Sequence, residues 1–515
     1  MRILIALLIF GTGCSVGRSS FSPGKKYSPA QLQKDYFIYQ TMLEESHPGL
    51  YWYTSKDSMD RYFQEGAAQL KDSMTELQFR KILSYVTSRV NCGHTTVRAS
   101  KYYSNYTDSV PNKVFPLSVK TWSNFIPINS GVPDQHRLSN TADTMVVTAN
   151  LNRRDSILKR GVLIKKINSW PIARLVDTMF NYISTDGYNL THKYQSLSNR
   201  GYFGSLHTSL FGLSEKYNIE YIDSIGQEGS VLIPVYDPAA DTPRTGPRRP
   251  IVLPPPVPRE ELRQRRLNAA RQLRIDTVNR TAFMDLNSFG RGYHLKSFFR
   301  RSFRALKKND IGYLVVDVRS NGGGSVTNST FLTRFVASQR FKVADSLYAI
   351  RKKTTYGRYI ENDFFNRLFM TFLTRKKSDG YHHFGYFTRH LFKPKKKNHF
   401  DGNVYILTGG NSFSATTLFA SSILKQENVF VVGEETGGAA YGNTAWLIPD
   451  ATLPVTKVRF RLPLFRLVID KNIPKDGRGV QPEISSYPTT DAIRRGIDFK
   501  MEKALELINK ARKNP

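Results

Sequence analysis

Strands and helices alternate between residues 281 and 433, and this alternation restricts the fold more than any other feature of the chain. The apolar runs are 282–286, 311–318, 404–408 and 429–433, and the helical stretches are 298–306, 327–338 and 415–424. Nearly continuous apolar runs of this length are typical of strands buried on both faces of a sheet. Strands that alternate with helices through short connections form a largely parallel sheet covered by helices. The sequence therefore predicts an α/β domain.

The rest of the chain divides by composition and periodicity. Residues 28–112 carry apolar side chains at helical spacing and form a predicted helical N-terminal domain, whose first helix has Ser28 as its N-cap and Pro29 in its first turn. Residues 113–240 are rich in β-formers, residues 241–275 form a basic, proline-rich linker, and residues 276–515 contain the α/β domain. Within that domain, residues 340–400 form an aromatic and basic insertion, which is either a lid over the site or a solvated excursion.

One stretch of the β-rich region resembles a known binding module. Residues 160–172, from Arg160 through the run Val-Leu-Ile-Lys-Lys-Ile-Asn-Ser-Trp to Ile172, are similar to the Gly-x-x-Ile-x-x-Ile-Asn-Gly stretch of PDZ domains, with Ser169 where that family usually has glycine. Residues 219–221 and 230–235 are candidates for the closing strands. The resemblance implies a PDZ-like module, and the alternative is a generic β-rich domain.

The N-terminus has the features of an export signal. Arg2 precedes an apolar run from Ile3 to Phe10, and Gly-Thr-Gly and Cys14 follow. This pattern predicts a signal peptide at residues 1–13, and a cysteine directly after small residues resembles a bacterial lipobox. The resemblance implies lipidation at Cys14, a tether over 14–27 and a lipoprotein of the bacterial envelope, in the periplasm or on the outer membrane. The alternative is a plain secreted protein.

Charge and cysteine content restrict the partners further. The formal net charge is +33, yet we find no nucleic-acid-binding motif, so we expect contact with an anionic lipid or glycan surface or a basic face without a role. Cys14 and Cys92 are the only cysteines. A lipidated Cys14 would leave no intramolecular disulfide.

Two loops that follow buried strands carry the candidate chemistry. The first, Asp317 to Gly324, ends in three consecutive glycines, which allow the backbone to turn sharply and to approach a ligand closely. The second reads Gly-Gly-Asn-Ser-Phe-Ser-Ala and ends at Ala415, where a helix begins. Ser414 would lie at the positive end of that helix, where a developing alkoxide is favoured. In isolation, either Ser414 or Ser412 is equally explained as an N-cap.

The order of these motifs resembles that of one enzyme family. Asp-x-Arg-x-Asn-x-Gly-Gly, then Asn-Ser-x-Ser-Ala, then Gly-Glu-Glu-Thr-Gly-Gly at 433–438 and Gly-Val-Gln-Pro-Glu at 479–483 are similar to the tail-specific protease and tricorn core family of serine peptidases. The resemblance implies a ClpP- or crotonase-like catalytic domain with Ser414 as nucleophile. It also implies an oxyanion hole from the amides of Gly323 and Ala415, and it requires no metal or cofactor.

The base differs from that of the tail-specific branch. That branch uses a lysine whose position appears here as Ala439, and no lysine occurs between Lys425 and Lys457. The tricorn-like branch uses a histidine that precedes the PDZ-like module, which corresponds to His94, and an unperturbed histidine titrates near working pH. His47, in His-Pro-Gly, is the competing histidine, and we interpret it as a structural helix stop.

An acidic residue is expected to orient the base. The resemblance assigns Asp476 to this role, one methylene shorter than the glutamate of the family, with Glu434 and Glu435 as alternatives. Cys92 is interpreted as a buried apolar residue rather than as a nucleophile. The expected function is a serine endopeptidase or C-terminal-processing peptidase that cleaves exported proteins or peptides in extended or C-terminal segments. The alternative is an inactive peptide-binding lipoprotein on the same scaffold.

Overall fold

The computed structural model describes residues 21–123, 143–240, 257–424 and 426–513. The predicted signal peptide, Cys14, the first part of the tether and residues 241–256 of the linker lie outside these ranges. Within the described ranges, no helix combines the length and the apolar character that crossing a bilayer requires.

The N-terminal region is helical, as predicted. Its elements are β1 (Lys26–Tyr27), α1 (Pro29–Ser46), α2 (Lys56–Ala67), β2 (Met74–Thr75), α3 (Glu76–Ser88), β3 (Val97–Arg98) and α4 (Lys101–Ser109). Ser28 caps α1 in a capping box with Gln31, and α1 ends before His47, where the His-Pro-Gly sequence predicts a stop.

The next region is an antiparallel sheet with three helices. Its elements are β4 (Leu117–Trp122), β5 (Thr144–Asn150), β6 (Leu163–Ile167), β7 (Trp170–Pro171), α5 (Ile172–Phe180), α6 (Leu190–Ser198), α7 (Tyr202–Phe211), β8 (Lys216–Ile222) and β9 (Glu228–Pro234). The strand order is β4-β5-β6-β8-β9, with β7 paired to β6. Ser169, in the β6–β7 turn, has a φ of +66°, the left-handed conformation for which glycine is the usual residue. The PDZ-like character of this region stays a prediction.

The remaining elements form the α/β region and its insertion. The first group is α8 (Arg259–Ala270), β10 (Arg271–Asp276), β11 (Thr281–Leu286), α9 (Leu295–Lys308), β12 (Tyr313–Asp317) and α10 (Val326–Val336). The insertion contains β13 (Ser346–Ala349), α11 (Asp363–Leu373), β14 (Arg375–Lys376), β15 (His382–His383) and α12 (Tyr386–Arg389). The last group is β16 (Asn403–Thr408), α13 (Ala415–Ile423), β17 (Val429–Gly433), β18 (Gly442–Ala445), β19 (Asp450–Thr452), β20 (Arg459–Arg461), β21 (Phe465–Val468), β22 (Ile484–Ser485), α14 (Thr490–Arg495) and α15 (Phe499–Lys513).

A six-stranded sheet forms the centre of the α/β region, and the predicted fold class is confirmed. Its order is β10-β11-β12-β16-β17-β22; β10 runs antiparallel and the other neighbours pair in parallel. Side chains of α9, α10 and α13 fill the core on one face, and α15 covers the other. Because parallel strands end at the same edge, the loops after β12 and β16 meet there. β10 lies within the stretch assigned to the linker, so the sheet begins before residue 276.

The insertion is not a solvated excursion. Phe341, Met370, Phe387 and Phe392 are buried in the same hydrophobic core as the N-terminal helices. Strand β13 pairs with β21, which lies outside the insertion. The insertion is therefore an integral part of the folded molecule.

Candidate active site

The two glycine-containing loops are packed directly against each other at the sheet edge. The Phe413 N–H donates to the Asn321 carbonyl at 3.1 Å, and the Ser412 hydroxyl donates to the Val318 carbonyl at 2.8 Å. A Cβ atom at Gly323 would lie 2.7 Å from the Ser414 Cβ, and Gly323 has a φ of +99°. Only glycine fits this position, so the close approach of the loops depends on it.

Ser414 has a strained backbone at the point where the chain leaves β16 and enters α13. Its φ is +57° and its ψ is −120°, a combination that residues other than glycine rarely adopt. Such strain is concentrated at functional sites, and a serine on a strained strand-to-helix turn is the arrangement of a nucleophile elbow. The Ser414 side chain makes no capping hydrogen bond to α13. The structure therefore does not support the interpretation of the Ser414 side chain as the N-cap of α13.

Ser412, the other serine of the motif, has a structural role. It is fully buried, its hydroxyl donates to the Val318 carbonyl, and it accepts a hydrogen bond from the Gly409 N–H at 3.2 Å. Both bonds hold the turn in shape. The sequence leaves the two serines equivalent, and their hydrogen bonds distinguish them.

Two backbone amides flank Ser414. The Ala415 N–H donates no hydrogen bond within the part of the chain that the structure describes, as expected in the first turn of a helix. The Gly323 N–H donates to the Asn321 side-chain oxygen at 3.0 Å. The structure thus brings both residues of the expected oxyanion hole to Ser414, with the Ala415 amide unengaged and the Gly323 amide held by Asn321.

His94 lies beside the nucleophile loop. Its ring packs against Phe413, the residue before Ser414, with 4.9 Å between ring centroids. It is 5% exposed, and neither ring nitrogen has a hydrogen-bond partner among the described residues. Burial first, and then the nearby Arg461, His192 and His47, lower the pKa of His94 to about 3. The imidazole is therefore neutral at working pH, which is the form that a general base requires.

His47 has the opposite character. Its Nε2 lies 2.7 Å from the Thr95 hydroxyl, and its Nδ1 accepts a hydrogen bond from the Gly49 N–H at 3.2 Å. With both nitrogens committed to the turn after α1, this ring has no capacity left for a substrate or a nucleophile. The interpretation of His47 as a structural residue agrees with these contacts.

The carboxylate beside His94 belongs to Asp186, which sequence reasoning missed. Its Oδ1 lies 3.9 Å from the His94 Nδ1, which is close but longer than a hydrogen bond. The carboxylate also accepts from the N–H groups of Gly93, at 2.8 Å, and Ala439, at 3.4 Å. Burial raises the pKa of Asp186 to about 7, against the lowering effect of these two amides.

The acidic residues expected from sequence lie elsewhere. Asp476 is exposed, and its carboxylate accepts the Arg478 N–H at 2.9 Å, so it turns back onto its own loop. Glu434 pairs with Lys500 at 2.5 Å, and Glu435 pairs with Arg478 at 2.9 Å. The structure thus places Asp186, and not Asp476, beside His94.

Asp186 and Asp476 belong to adjacent loops. The Tyr188 N–H donates to the Gly477 carbonyl at 3.1 Å, so the loop that follows α5 lies against the segment to which the resemblance points. The only feature of the sequence that could have indicated Asp186 is the presence of an aspartate in the loop Ser-Thr-Asp-Gly-Tyr-Asn at 184–189. It belongs to no motif of the resemblance.

Cys92 completes the surroundings of His94. Its thiol lies 2.5 Å from the Thr444 hydroxyl, and burial raises its pKa to about 11, which disfavours a nucleophilic thiolate. The ligand atoms of Cys92, His94 and Asp186 all lie within 4.8 Å of one another. These three side chains are the group in the described ranges that could hold a metal ion, and such an ion would occupy the His94 ring.

A cavity of about 320 Å³ opens next to the site. Gly93 and His192 line it on the side of the site, and Leu77, Tyr182 and Leu210 contribute apolar surface further away. The ring of His192 also packs on Phe413, with 4.9 Å between centroids. The cavity therefore lies beside the nucleophile loop, between the helical and the β-rich regions.

Comparison with known proteins agrees with this geometry. Residues 280–486 match the model of peptidase family S41. No curated protein matches the chain. A crystal structure of mature CPAF aligns with a TM-score of 0.58 at 12% identity, covering 93% of this chain and 96% of that one. The complex of mature CPAF with lactacystin aligns with the same TM-score and identity, covering 94% and 98%.

At this level of identity the structural likeness concerns the fold, and the family match concerns the domain that carries both loops. The match also includes Asp317, Gly323, Ser414 and the 433–438 motif from which the resemblance was drawn. Residues 280–486 are therefore similar to peptidase family S41, and the chain is a serine-type peptidase.

Proposed function

We propose that this serine peptidase hydrolyses peptide bonds through an acyl-enzyme, with Ser414 as nucleophile and His94 as general base. The observation that carries the proposal is the conformation of Ser414. Its backbone is strained, with a φ of +57° and a ψ of −120°, and its hydroxyl makes no capping hydrogen bond. Ser414 lies against Gly323 and beside the Ala415 amide, which donates no hydrogen bond to a described residue. Ser414 and the proposed oxyanion donors thus lie together before substrate arrives, and the His94 ring packs on the neighbouring Phe413.

The steps follow from this arrangement. The Ser414 Oγ attacks the carbonyl carbon while its proton passes to His94, and the Ala415 and Gly323 amides donate to the oxygen that becomes negative. The carbon–nitrogen bond then breaks, and His94 returns the proton to the leaving amine. Water hydrolyses the acyl-enzyme by the same route. Because His94 makes no hydrogen bond before substrate binds, the base contact must tighten in the complex.

Asp186 stabilises the imidazolium that forms during each proton transfer. A buried histidine whose pKa is about 3 is a poor proton acceptor unless a negative charge is near. Ionised Asp186 supplies that charge 3.9 Å away, and its two backbone hydrogen bonds fix its position. The third member of the triad comes from the β-rich region.

The substrate is an extended segment of an exported protein or peptide, either internal or C-terminal. Such a segment binds by strand addition, at the edge of the β-rich sheet or beside the catalytic sheet. The cavity bounded by Gly93 and His192 has the size to accept a side chain next to the scissile bond, and its walls are part polar and part apolar. The signal peptide and lipobox pattern supports an enzyme that is anchored to a membrane of the bacterial envelope through Cys14.

The rival function is a non-catalytic peptide-binding lipoprotein. It is motivated by Ala439, which occupies the position of the lysine in the tail-specific branch. Reactivity of the serine distinguishes the two, because a binding protein has no need of an activated hydroxyl.

The nucleophile is tested by a fluorophosphonate probe. The purified chain should react, mass spectrometry should find the adduct on Ser414, and Ser414→Ala should abolish it. Ser421→Ala, on the same helix, is the matched control and should label like the wild type. An adduct that survives Ser414→Ala would rule out this nucleophile, and absence of both labelling and peptidase activity in the folded wild type would favour the binding protein.

The base is tested by comparing two buried histidines. His94→Ala should lower kcat by roughly a hundredfold to ten-thousandfold, the usual contribution of a general base. His47→Ala should lower the unfolding free energy by about 1–3 kcal/mol, because it leaves the Thr95 hydroxyl and the Gly49 N–H without partners, while kcat of the folded fraction changes little. The reverse pattern would exchange the roles of the two residues.

The raised pKa of Asp186 predicts that pH affects activity and stability in opposite directions. Activity of the wild type should rise as pH increases through about 7, where Asp186 ionises. Asp186→Asn should remove this dependence and lower kcat, and pH–rate profiles of both proteins measure it. An Asp186→Asn enzyme with the wild-type profile would exclude Asp186 from the mechanism.

Stability should change in the other direction. Between pH 4 and 7 the folded chain retains the Asp186 proton that the unfolded chain, with the usual carboxyl pKa of 3.8, releases. The wild type therefore loses stability as pH rises through this range, and Asp186→Asn does not lose this contribution. Thermal unfolding from pH 5 to 8 should show that the Tm of Asp186→Asn increases relative to the Tm of the wild type as pH rises.

The anchor is tested in a bacterial host by labelling with radioactive palmitate. The wild-type chain should incorporate the label and fractionate with membranes, and Cys14→Ser should abolish incorporation. Cys92→Ser is the control, since that thiol is buried and should not be acylated. Equal labelling of all three proteins would exclude Cys14 as the site.

A further inference from the structure

Helix α11 in the insertion presents its apolar side to solvent. Phe364, Phe365, Leu368 and Phe372 are exposed at 64%, 65%, 44% and 75%. At 100° per residue these four positions fall within about 100° of arc, which is one continuous stripe. We call these four residues the α11 stripe.

The buried side of the same helix is less apolar than the stripe. Asn366 and Met370 are its buried residues, Phe369 packs against the core while partly buried, and the Asn366 side chain donates to the Glu361 carbonyl. A surface helix of a soluble protein normally places its large apolar residues inward. Large clustered apolar residues that face outward mark an interaction surface, so the α11 stripe is available for a partner.

Basic side chains follow the stripe immediately. Arg375, Lys376 and Lys377, which we call the basic triplet, are exposed and form no ion pair with any residue in the described ranges. Arg375 and Lys376 form β14, which pairs with β15. The pKa of His382 on β15 is lowered by burial first and then by Lys352 and Lys376, so a further lysine lies near the triplet. Exposed apolar residues and unpaired cations thus occur side by side.

The whole insertion carries an excess of positive charge. Residues 340–400 contain fifteen lysines and arginines against four aspartates and glutamates, an excess of eleven positive charges in a chain whose net charge is +33. Phenylalanine and leucine beside lysine and arginine are the side chains of a helix that lies in a membrane interface. The apolar stripe enters the acyl boundary, and the cations contact anionic headgroups.

We propose that α11 and the β14–β15 hairpin form a docking surface for an anionic lipid bilayer. The α11 stripe inserts into the interface, and the basic triplet contacts the headgroups. Charge complementarity favours this occupant over a second copy of the chain, because a symmetric contact would bring two unpaired basic triplets into one interface. The surface is independent of catalysis, since none of its residues belongs to the site.

Vesicle binding tests the proposal directly. The protein is the chain from residue 15 onward, produced without an acyl group, so that all described residues are retained and no lipid anchor contributes. It should co-sediment with phosphatidylcholine vesicles that contain about one third phosphatidylglycerol, and at least about tenfold less with phosphatidylcholine alone. Ser414→Ala should bind like the wild type, whether or not the proposed mechanism is correct.

Two matched pairs of variants separate the apolar and the electrostatic contributions. Phe364→Ser/Phe365→Ser/Phe372→Ser should weaken binding about tenfold or more, whereas Ile225→Ser/Leu232→Ser, which change exposed apolar residues of the β-rich region, should not. Arg375→Glu/Lys376→Glu/Lys377→Glu should abolish the preference for anionic vesicles, whereas Arg304→Glu/Lys307→Glu/Lys308→Glu on α9 should preserve it. Circular dichroism and hydrolysis of a soluble peptide should be unchanged in all four.

Two results would overturn the proposal. One is binding to anionic vesicles that the α11 and triplet variants leave unchanged, which would locate the contact elsewhere. The other is absence of vesicle binding together with a wild-type oligomer, seen by sedimentation velocity, that the triple serine variant converts to a monomer. That result would make the α11 stripe an interface between copies of the chain.

Discussion

The site depends on one short loop, 186–189, that ties three parts of the chain together. The Asp186 carboxylate accepts the N–H of Gly93 from the helical region and the N–H of Ala439 from the α/β region. The Gly187 N–H donates to the Asn91 carbonyl, and the Asn189 side chain donates to the Thr436 carbonyl. Buried polar groups must find partners, so these bonds fix where the three parts meet. His94 reaches the nucleophile loop because of this junction.

The parts of the fold that repeat a local pattern could be predicted from the sequence. The buried strands β11, β12, β16 and β17 lie where the apolar runs predict them, and their parallel pairing follows from the alternation with helices. Helix α13 begins directly after Ser414, as predicted. These features are encoded over distances of ten or twenty residues, where periodicity is informative.

The carboxylate that lies beside His94 could not be predicted from the sequence, because its position depends on contacts between distant segments. Resemblance pointed to Asp476, and the two loops are neighbours through the bond between Tyr188 and Gly477. The Asp476 side chain, however, accepts the N–H of Arg478 and stays at the surface, while Asp186 enters the buried space beside His94. No pattern within either loop distinguishes the two carboxylates. The packing of the insertion could not be predicted for the same reason, because its buried residues contact helices about 300 residues earlier in the chain.

Ala439 and His94 are linked through Asp186. The backbone N–H of Ala439 donates to the carboxylate that lies beside His94. A small side chain there leaves the space next to Asp186 unfilled by a competing cation. Burial keeps His94 neutral, and ionised Asp186 offsets the cost of its protonation. The backbone at position 439 therefore contacts the carboxylate that lies beside His94.

The distance along the chain between His94 and Ser414 has a consequence for how activity depends on folding. The turn at Ser414 is held by contacts with the 318–323 loop at the same sheet edge, whereas His94 is positioned by the docking of residues 91–94 on the 186–189 loop. The proposed site is therefore complete only when the helical, β-rich and α/β regions are all folded and docked on one another, so partial unfolding of any one of them should abolish activity.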